Sequence, residues 1–179
     1  FVDPELVVEK LKKIYDHSDH AVINVDDKNL TQFVNPEKIT GFGLSPSIQP
    51  RPSYAINFGP EPKVEPSVEV SKLGERSLQV RVPERLLSFE TKADAPHQAL
   101  NLAASIAAVS KLIEPDWDLV EKTVSNLPPV FARDEIASVR GKEVRFLLCL
   151  NPTSFTHSLS EISDRMCPLM IMAGSDIID

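Results

Sequence analysis

Short β-branched runs alternate with stretches of helical period along the first part of the chain, and this alternation predicts an α/β fold. Leu6, Val7, Lys10, Leu11, Ile14 and Tyr15 mark a largely apolar helical face. Asp3-Pro4-Glu5 opens that helix: Asp3 caps it, Pro4 presets φ, and Glu5 suits the dipole. Ala21 to Val25 reads as a short buried strand whose carboxyl end carries Asp26 and Asp27. An amphipathic piece from Leu30 to Val34 and a strand from Ile39 to Phe42, closed by Gly41 and Gly43, repeat the pattern. Between Ser45 and Pro66, Pro46, Pro50, Pro52, Pro60, Pro62 and Pro66 forbid any long helix or central strand, so loops with one edge strand, Tyr54 to Phe58, are expected.

Val68 to Val70, Leu78 to Val82 and Leu86 to Glu90 then alternate over strand lengths between turn residues, which predicts an antiparallel patch. Pro96 starts a long helix through Leu112 in which Ala103, Ala104, Ala107 and Ala108 permit close packing. A further helix, Asp116 to Leu127, ends at Pro128-Pro129, where a domain boundary is placed. Strands are predicted over Ile136 to Val139 and Val144 to Leu150, followed by a helix from Thr153 to Ile162 and a strand from Leu169 to Ala173. The last three would form one βαβ unit with Asn151-Pro152 at its first turn.

Composition narrows the functions. Nineteen Lys and Arg against 26 Asp and Glu give a formal charge of -7, and no basic stripe reverses it, so nucleic acid is not an expected partner. No apolar run reaches the roughly 20 residues of a membrane span, and nothing at the start reads as a secretory signal. Cys149 and Cys167 have no metal-knuckle or disulfide spacing, which fits reduced thiols in the cytoplasm. His17, His20 and His157 likewise lack metal-ligand spacing.

Four places carry candidate chemistry. Asn24, Asp26 and Asp27 end a strand where open α/β sheets bind ligands; they form either a Mg²⁺-holding cleft or an acidic turn capping the next helix. His97, Gln98 and Asn101 start the alanine-rich helix, where they either read an adenine edge or satisfy the helix's own first amides. Arg133 follows the boundary prolines, either reaching a phosphate or pairing with Asp134 and Glu135. Asn151-Pro152-Thr153-Ser154 either favours an anion or caps a helix. No G-x-x-x-x-G-K-[ST] phosphate loop occurs.

Taken in order, these segments resemble the Mur ligase superfamily. Val22 to Asp27 is similar to that family's strand ending in Asn-x-Asp-Asp, and His97 to Ala108 to its Asn- and Ala-rich helix. Within the superfamily, Phe131-Ala132-Arg133-Asp134-Glu135 resembles the Phe-Gly-Arg-x-Glu of the MurT branch, the ligase subunits of lipid II isoglutaminyl synthases. Leu148 to Phe155 resembles that branch's Leu-x-Lys-Asn-Pro-x-Gly-Phe. The resemblance implies the later part of an ATP-binding central domain over residues 1–127, a parallel sheet with helices and an antiparallel patch. Residues 128–179 would begin a Rossmann-like C-terminal ligase domain. It also implies that the chain is part of a longer protein, with the phosphate loop upstream, the family's catalytic aspartate downstream and no catalytic residue inside.

The implied activity is ATP-dependent amidation of the D-glutamate α-carboxyl in the lipid II stem peptide, or a related muropeptide. It would proceed through an acyl phosphate, with Mg²⁺ and with ammonia from a GatD-like glutaminase partner. By the resemblance Asn101, with His97 and Gln98, would contact the adenine, Arg133 would approach the nucleotide, and Asn151 would line the cleft. Three positions depart from the pattern: Gln98 replaces Asn, Leu150 replaces Lys, and Ser154 replaces Gly. The branch's four-cysteine zinc ribbon has no cysteine here between Ser45 and Pro66, so no zinc is expected. The alternatives are another Mur ligase, adding an amino acid or of folylpolyglutamate type, and a ligase-like scaffold that binds a partner without catalysis.

Overall fold

The computed structural model describes residues 4–49, 64–74, 77–90, 96–127, 133–149, 155, 158, 159, 162 and 168–171. The chain divides into two compact units, Phe1–Pro128 and Pro129–Asp179.

The first unit runs α1 (Pro4–Asp16), β1 (Ala21–Asn24), α2 (Lys28–Thr31), a single 3₁₀ turn (Pro36–Lys38) and β2 (Ile39–Leu44). Then come β3 (Val68–Gly74), β4 (Ser77–Val82), β5 (Arg85–Glu90), α3 (Pro96–Leu112) and α4 (Trp117–Ser125). The five strands form one sheet in chain order, parallel from β1 to β3 and antiparallel from β3 to β5. The α/β class and the antiparallel patch are as the hydrophobic pattern predicts. Alternation explains the patch: Leu78, Val80 and Val82 of β4 and Leu87 and Phe89 of β5 point to one face and are buried. Val68 and Val70 of β3 join them, and α3 lies over β1, β2 and β3. Ala99, Ala103 and Ala107, one turn apart, are fully buried, so the predicted close approach of this helix is realised.

Two features of this unit differ from expectation. Gly41 and Gly43 do not close β2; they lie inside it, and the strand continues to Leu44. A Cβ on Gly41 would come within 2.7 Å of Val25 Cγ1, so glycine here serves the close approach of a neighbouring segment rather than a turn. The short helix is also earlier than predicted, starting at Lys28, because Asp27 caps it.

The second unit contains an antiparallel ribbon, β6 (Arg133–Val139) and β7 (Lys142–Leu147), closed by Arg140 and Gly141, both at positive φ as a tight hairpin requires. Phe155, Ser158, Leu159 and Ile162 are helical, within the predicted helix, and Ser158 Oγ lies 3.3 Å from the Cys149 thiol. The predicted strand from Leu169 is not formed over 169–171, which are extensively exposed. An apolar run becomes a strand only beside a partner, and among the described residues no strand pairs with 169–171. Asp3, the Tyr54–Phe58 strand and Asn151 lie outside the described residues. Among the described residues no helix is long and apolar enough to cross a membrane.

Candidate functional site

At the carboxyl end of β1 each polar side chain has a definite local task. The β1–β2 ladder extends one step when the Val25 N–H donates to the Phe42 carbonyl (2.9 Å). Asn24 Oδ1 accepts from the Asp26 N–H at 3.0 Å and turns the chain. Asp26 then reaches across β2, its Oδ2 accepting from the Leu44 N–H at 2.8 Å. Gly43 makes room for that reach, since a Cβ there would lie 3.2 Å from both Asp26 carboxylate oxygens. Asp27 is the N-cap of α2, with Oδ1 accepting from the Asn29 N–H at 2.9 Å. Burial pushes the Asp27 carboxyl above its ordinary value, against the opposing effect of the Asn29 and Leu30 N–H groups. Asp27 therefore caps α2, whereas Asp26 is bound to the end of β2.

A pin on the far side holds the segment that leads into β2. Tyr15, buried at the end of α1, accepts at its hydroxyl from the Asn35 N–H (2.7 Å). Lys38 Nζ donates to the Tyr15 carbonyl (2.9 Å) and sits 4.7 Å above its ring, and Phe33 packs at 5.7 Å. The helical pattern marks Tyr15 as apolar and gives no sign of this role, because its partners lie twenty residues on.

The second candidate cluster lies at the same end of the sheet. Lys111, in the last turn of α3, lies close enough to His20 to depress its pKa, after the larger effect of burial. His20 precedes β1 and its Nε2 meets Thr40 Oγ1 at 2.8 Å. The carboxyl end of α3 is therefore at the amino end of β1, and the helix runs antiparallel to β1, β2 and β3. Its seventeen residues span about 25 Å, which carries His97, Gln98 and Asn101 to the end where Asn24, Asp26 and Asp27 stand. Asn101 and His97 are exposed and Gln98 is half-buried. Gln98 and Asn101, three apart, share a face at the positive end of the helix dipole. Arg133 begins β6 in the second unit, and its side chain lies outside the described residues.

Two adjacent amide side chains with donors and acceptors suit the edge of an adenine. A divalent ion finds no comparable fit. Among the described residues no three His, Cys, Asp or Glu side chains converge, and both aspartates engage backbone N–H groups.

No protein-family model matches the sequence, and no curated protein does. The fold is similar to that of a pseudomurein peptide ligase type C from Methanothermus fervidus, with a TM-score of 0.70 at 16% identity, covering 88% of this chain and 37% of that one. It is also similar to MurF from Acinetobacter baumannii, with a TM-score of 0.55 at 11% identity over 88% of this chain and 32% of that one. A second structure from that organism, a UDP-N-acetylmuramoylalanyl-D-glutamyl-2,6-diaminopimelate–D-alanyl-D-alanyl ligase, gives 0.55 and 11% over 88% and 33%. The chain thus has the fold found in Mur ligase structures and spans about a third of their length.

Proposed function

We propose, from the Mur ligase fold of this chain, that it is the nucleotide-facing part of an ATP-dependent amide-forming ligase of cell-wall type. What supports this reading is the direction of α3: its last turn, with Lys111, lies by His20 ahead of β1, so Gln98 and Asn101 at its start would lie toward the strand end that carries Asn24, Asp26 and Asp27. Asn101, exposed and aided by Gln98, would bind the adenine edge through its amide, donating to one ring acceptor and accepting from the exocyclic amine. The Asp26 link to Leu44 and the Asp27 cap would hold the floor of the crevice rigid. By the same resemblance, Arg133 would approach the nucleotide and Asn151 would line the cleft.

In such a ligase a substrate carboxylate attacks the γ-phosphorus of ATP, forming an acyl phosphate and ADP. An amine then attacks the acyl carbon and expels phosphate. The MurT-like motifs favour ammonia from a GatD-like glutaminase as the nucleophile and the D-glutamate α-carboxyl of lipid II as the acceptor. The fold likeness to peptide-adding ligases supports a second reading, in which an amino acid supplies the amine. The products differ: ammonia converts a muropeptide carboxylate to a carboxamide, whereas an amino acid adds a residue, and mass spectrometry separates them.

Calorimetric titration of the chain with ATP, with GTP as control, tests the nucleotide reading. ATP binding that Asn101→Ala weakens about tenfold or more, with the circular dichroism unchanged, supports it. Absence of binding, or an Asn101→Ala affinity equal to wild type, overturns it and favours the partner-binding scaffold, which would capture its partner with no nucleotide present and turn over no ATP.

A further inference from the structure

We propose that α4 is an edge guard, which keeps β5 from pairing with a second copy of this chain. The β4–β5 hairpin places Val82 opposite Arg85 across the two residues Pro83 and Glu84, with Val80 opposite Leu87 and Leu78 opposite Phe89. Ladder bonds alternate, so Arg85, Leu87 and Phe89 face β4, and Leu86, Ser88 and Glu90 turn their backbone groups to the side of β5 that has no neighbouring strand among the described residues. Such an edge is a template for another strand.

The side chains of α4 occupy this edge. Glu121 Oε1 accepts from the Ser88 N–H at 2.5 Å, and Ser125 Oγ accepts from the Glu90 N–H at 3.3 Å. The spacing explains the match: four residues of helix rise about 6.0 Å, and two residues of strand advance about 6.8 Å. The carboxylate and hydroxyl therefore stand where carbonyls of a next strand would be. Arg85 fixes the register, donating to Glu121 Oε2 at 2.8 Å and to Asp118 at 2.9 Å, so both Glu121 oxygens are engaged. Trp117, Val120 and Val124 meanwhile pack on the core and hold the helix down.

The occupant excluded is another β5. Residues 86, 88 and 90 are symmetric about Ser88, so two edges pair antiparallel with Ser88 at the two-fold axis. Leu87 of one copy then faces Phe89 of the other, an apolar cross-strand pair.

The test begins with amide exchange of the unmodified chain. The Ser88 and Glu90 amides should open together with those of Val120 and Val124 in α4; exchange at the rate of exposed amides overturns the proposal. In a Glu121→Ala, Ser125→Ala double variant both amides should exchange about tenfold faster or more. A concentration-dependent dimer should appear in sedimentation velocity and should vanish on adding Ser88→Pro, which removes the paired donor. A double variant that does not associate, one whose Ser88 and Glu90 amides exchange no faster, or association that survives Ser88→Pro, overturns it. If the double variant does not fold, Glu121→Gln is read instead, because it keeps an oxygen acceptor. Retained Ser88 protection supports the guard, and its loss refutes it.

Discussion

A single methyl group at Gly41 should weaken the first unit measurably. The added Cβ would stand 2.7 Å from Val25 Cγ1, 3.3 Å from the Glu65 carbonyl oxygen and 3.6 Å from Pro66 Cα. Carbon pairs are most comfortable at about 3.5–4.0 Å, so the overlap with Val25 approaches 1 Å. Val25 has little means of retreat: it is 3% exposed, and its β-branch restricts χ1. The Glu65 contact is backbone and yields no more easily. Overpacking of this kind costs about 1–3 kcal/mol, or roughly 2–4 °C in Tm for each kcal/mol in a chain of this size. Urea unfolding of wild type, Gly41→Ala, Val25→Ala and the double variant measures it. The double variant should be less destabilised than the two single losses combined, by about 1 kcal/mol or more. A Gly41→Ala variant within about 0.5 kcal/mol of wild type, or strict additivity in the cycle, would refute the reasoning.

Asp27→Ala should lose about 0.5–2 kcal/mol by removing the α2 cap, whereas Asp27→Asn keeps an acceptor there and removes the buried charge. Because the folded pKa of Asp27 is raised above 3.8, its contribution is present below the unfolded value and lost as pH rises through the folded one. Asp27→Asn should therefore gain relative to wild type as pH rises from 3 to 7, read by urea melts at each pH. His20 is shifted the other way, held below 6.5 by burial and then by Lys111. Its neutral form is favoured by the fold, so stability is lost as pH falls through 6.5 toward the lower folded value. Nuclear magnetic resonance titration should show this pKa move up in Lys111→Ala. Phe89→Ala should cost about 3–5 kcal/mol, against less than about 0.5 for Leu112→Ala, because Phe89 is 2% and Leu112 81% exposed. Paired thermal melts compare them.

Local pattern made the antiparallel patch and α3 legible, because Leu78, Val80 and Val82 alternate and Pro96 fixes a helix start. Asn24, Asp26 and Asp27 were legible as a polar strand end, and the capping alternative matches Asp27, while Asn24 holds the turn and Asp26 bonds β2. What stayed hidden depends on distance along the chain. The Asp26–Leu44 bond spans 18 residues, the Tyr15–Asn35 bond 20, and the Glu121–Ser88 bond 33. No periodicity registers a side chain that completes another strand's backbone bonds. Two glycines spaced two apart in a β-branched context were the available sign that a segment crosses β2. The apolar Leu169–Ile171 stretch misled for the complementary reason, that composition cannot supply a pairing partner.

The alanine stripe of α3 has a consequence in conformational entropy. Ala99, Ala103 and Ala107 have no rotamers to freeze, whereas a leucine in each place would surrender about 0.5–1 kcal/mol on docking. Along this line the helix meets the sheet through methyl groups that have no alternative packing, while Leu100 and Ile106 fill the core on either side. Rotamer exchange in that stripe therefore cannot move the helix axis, and Asn101 starts from a fixed base.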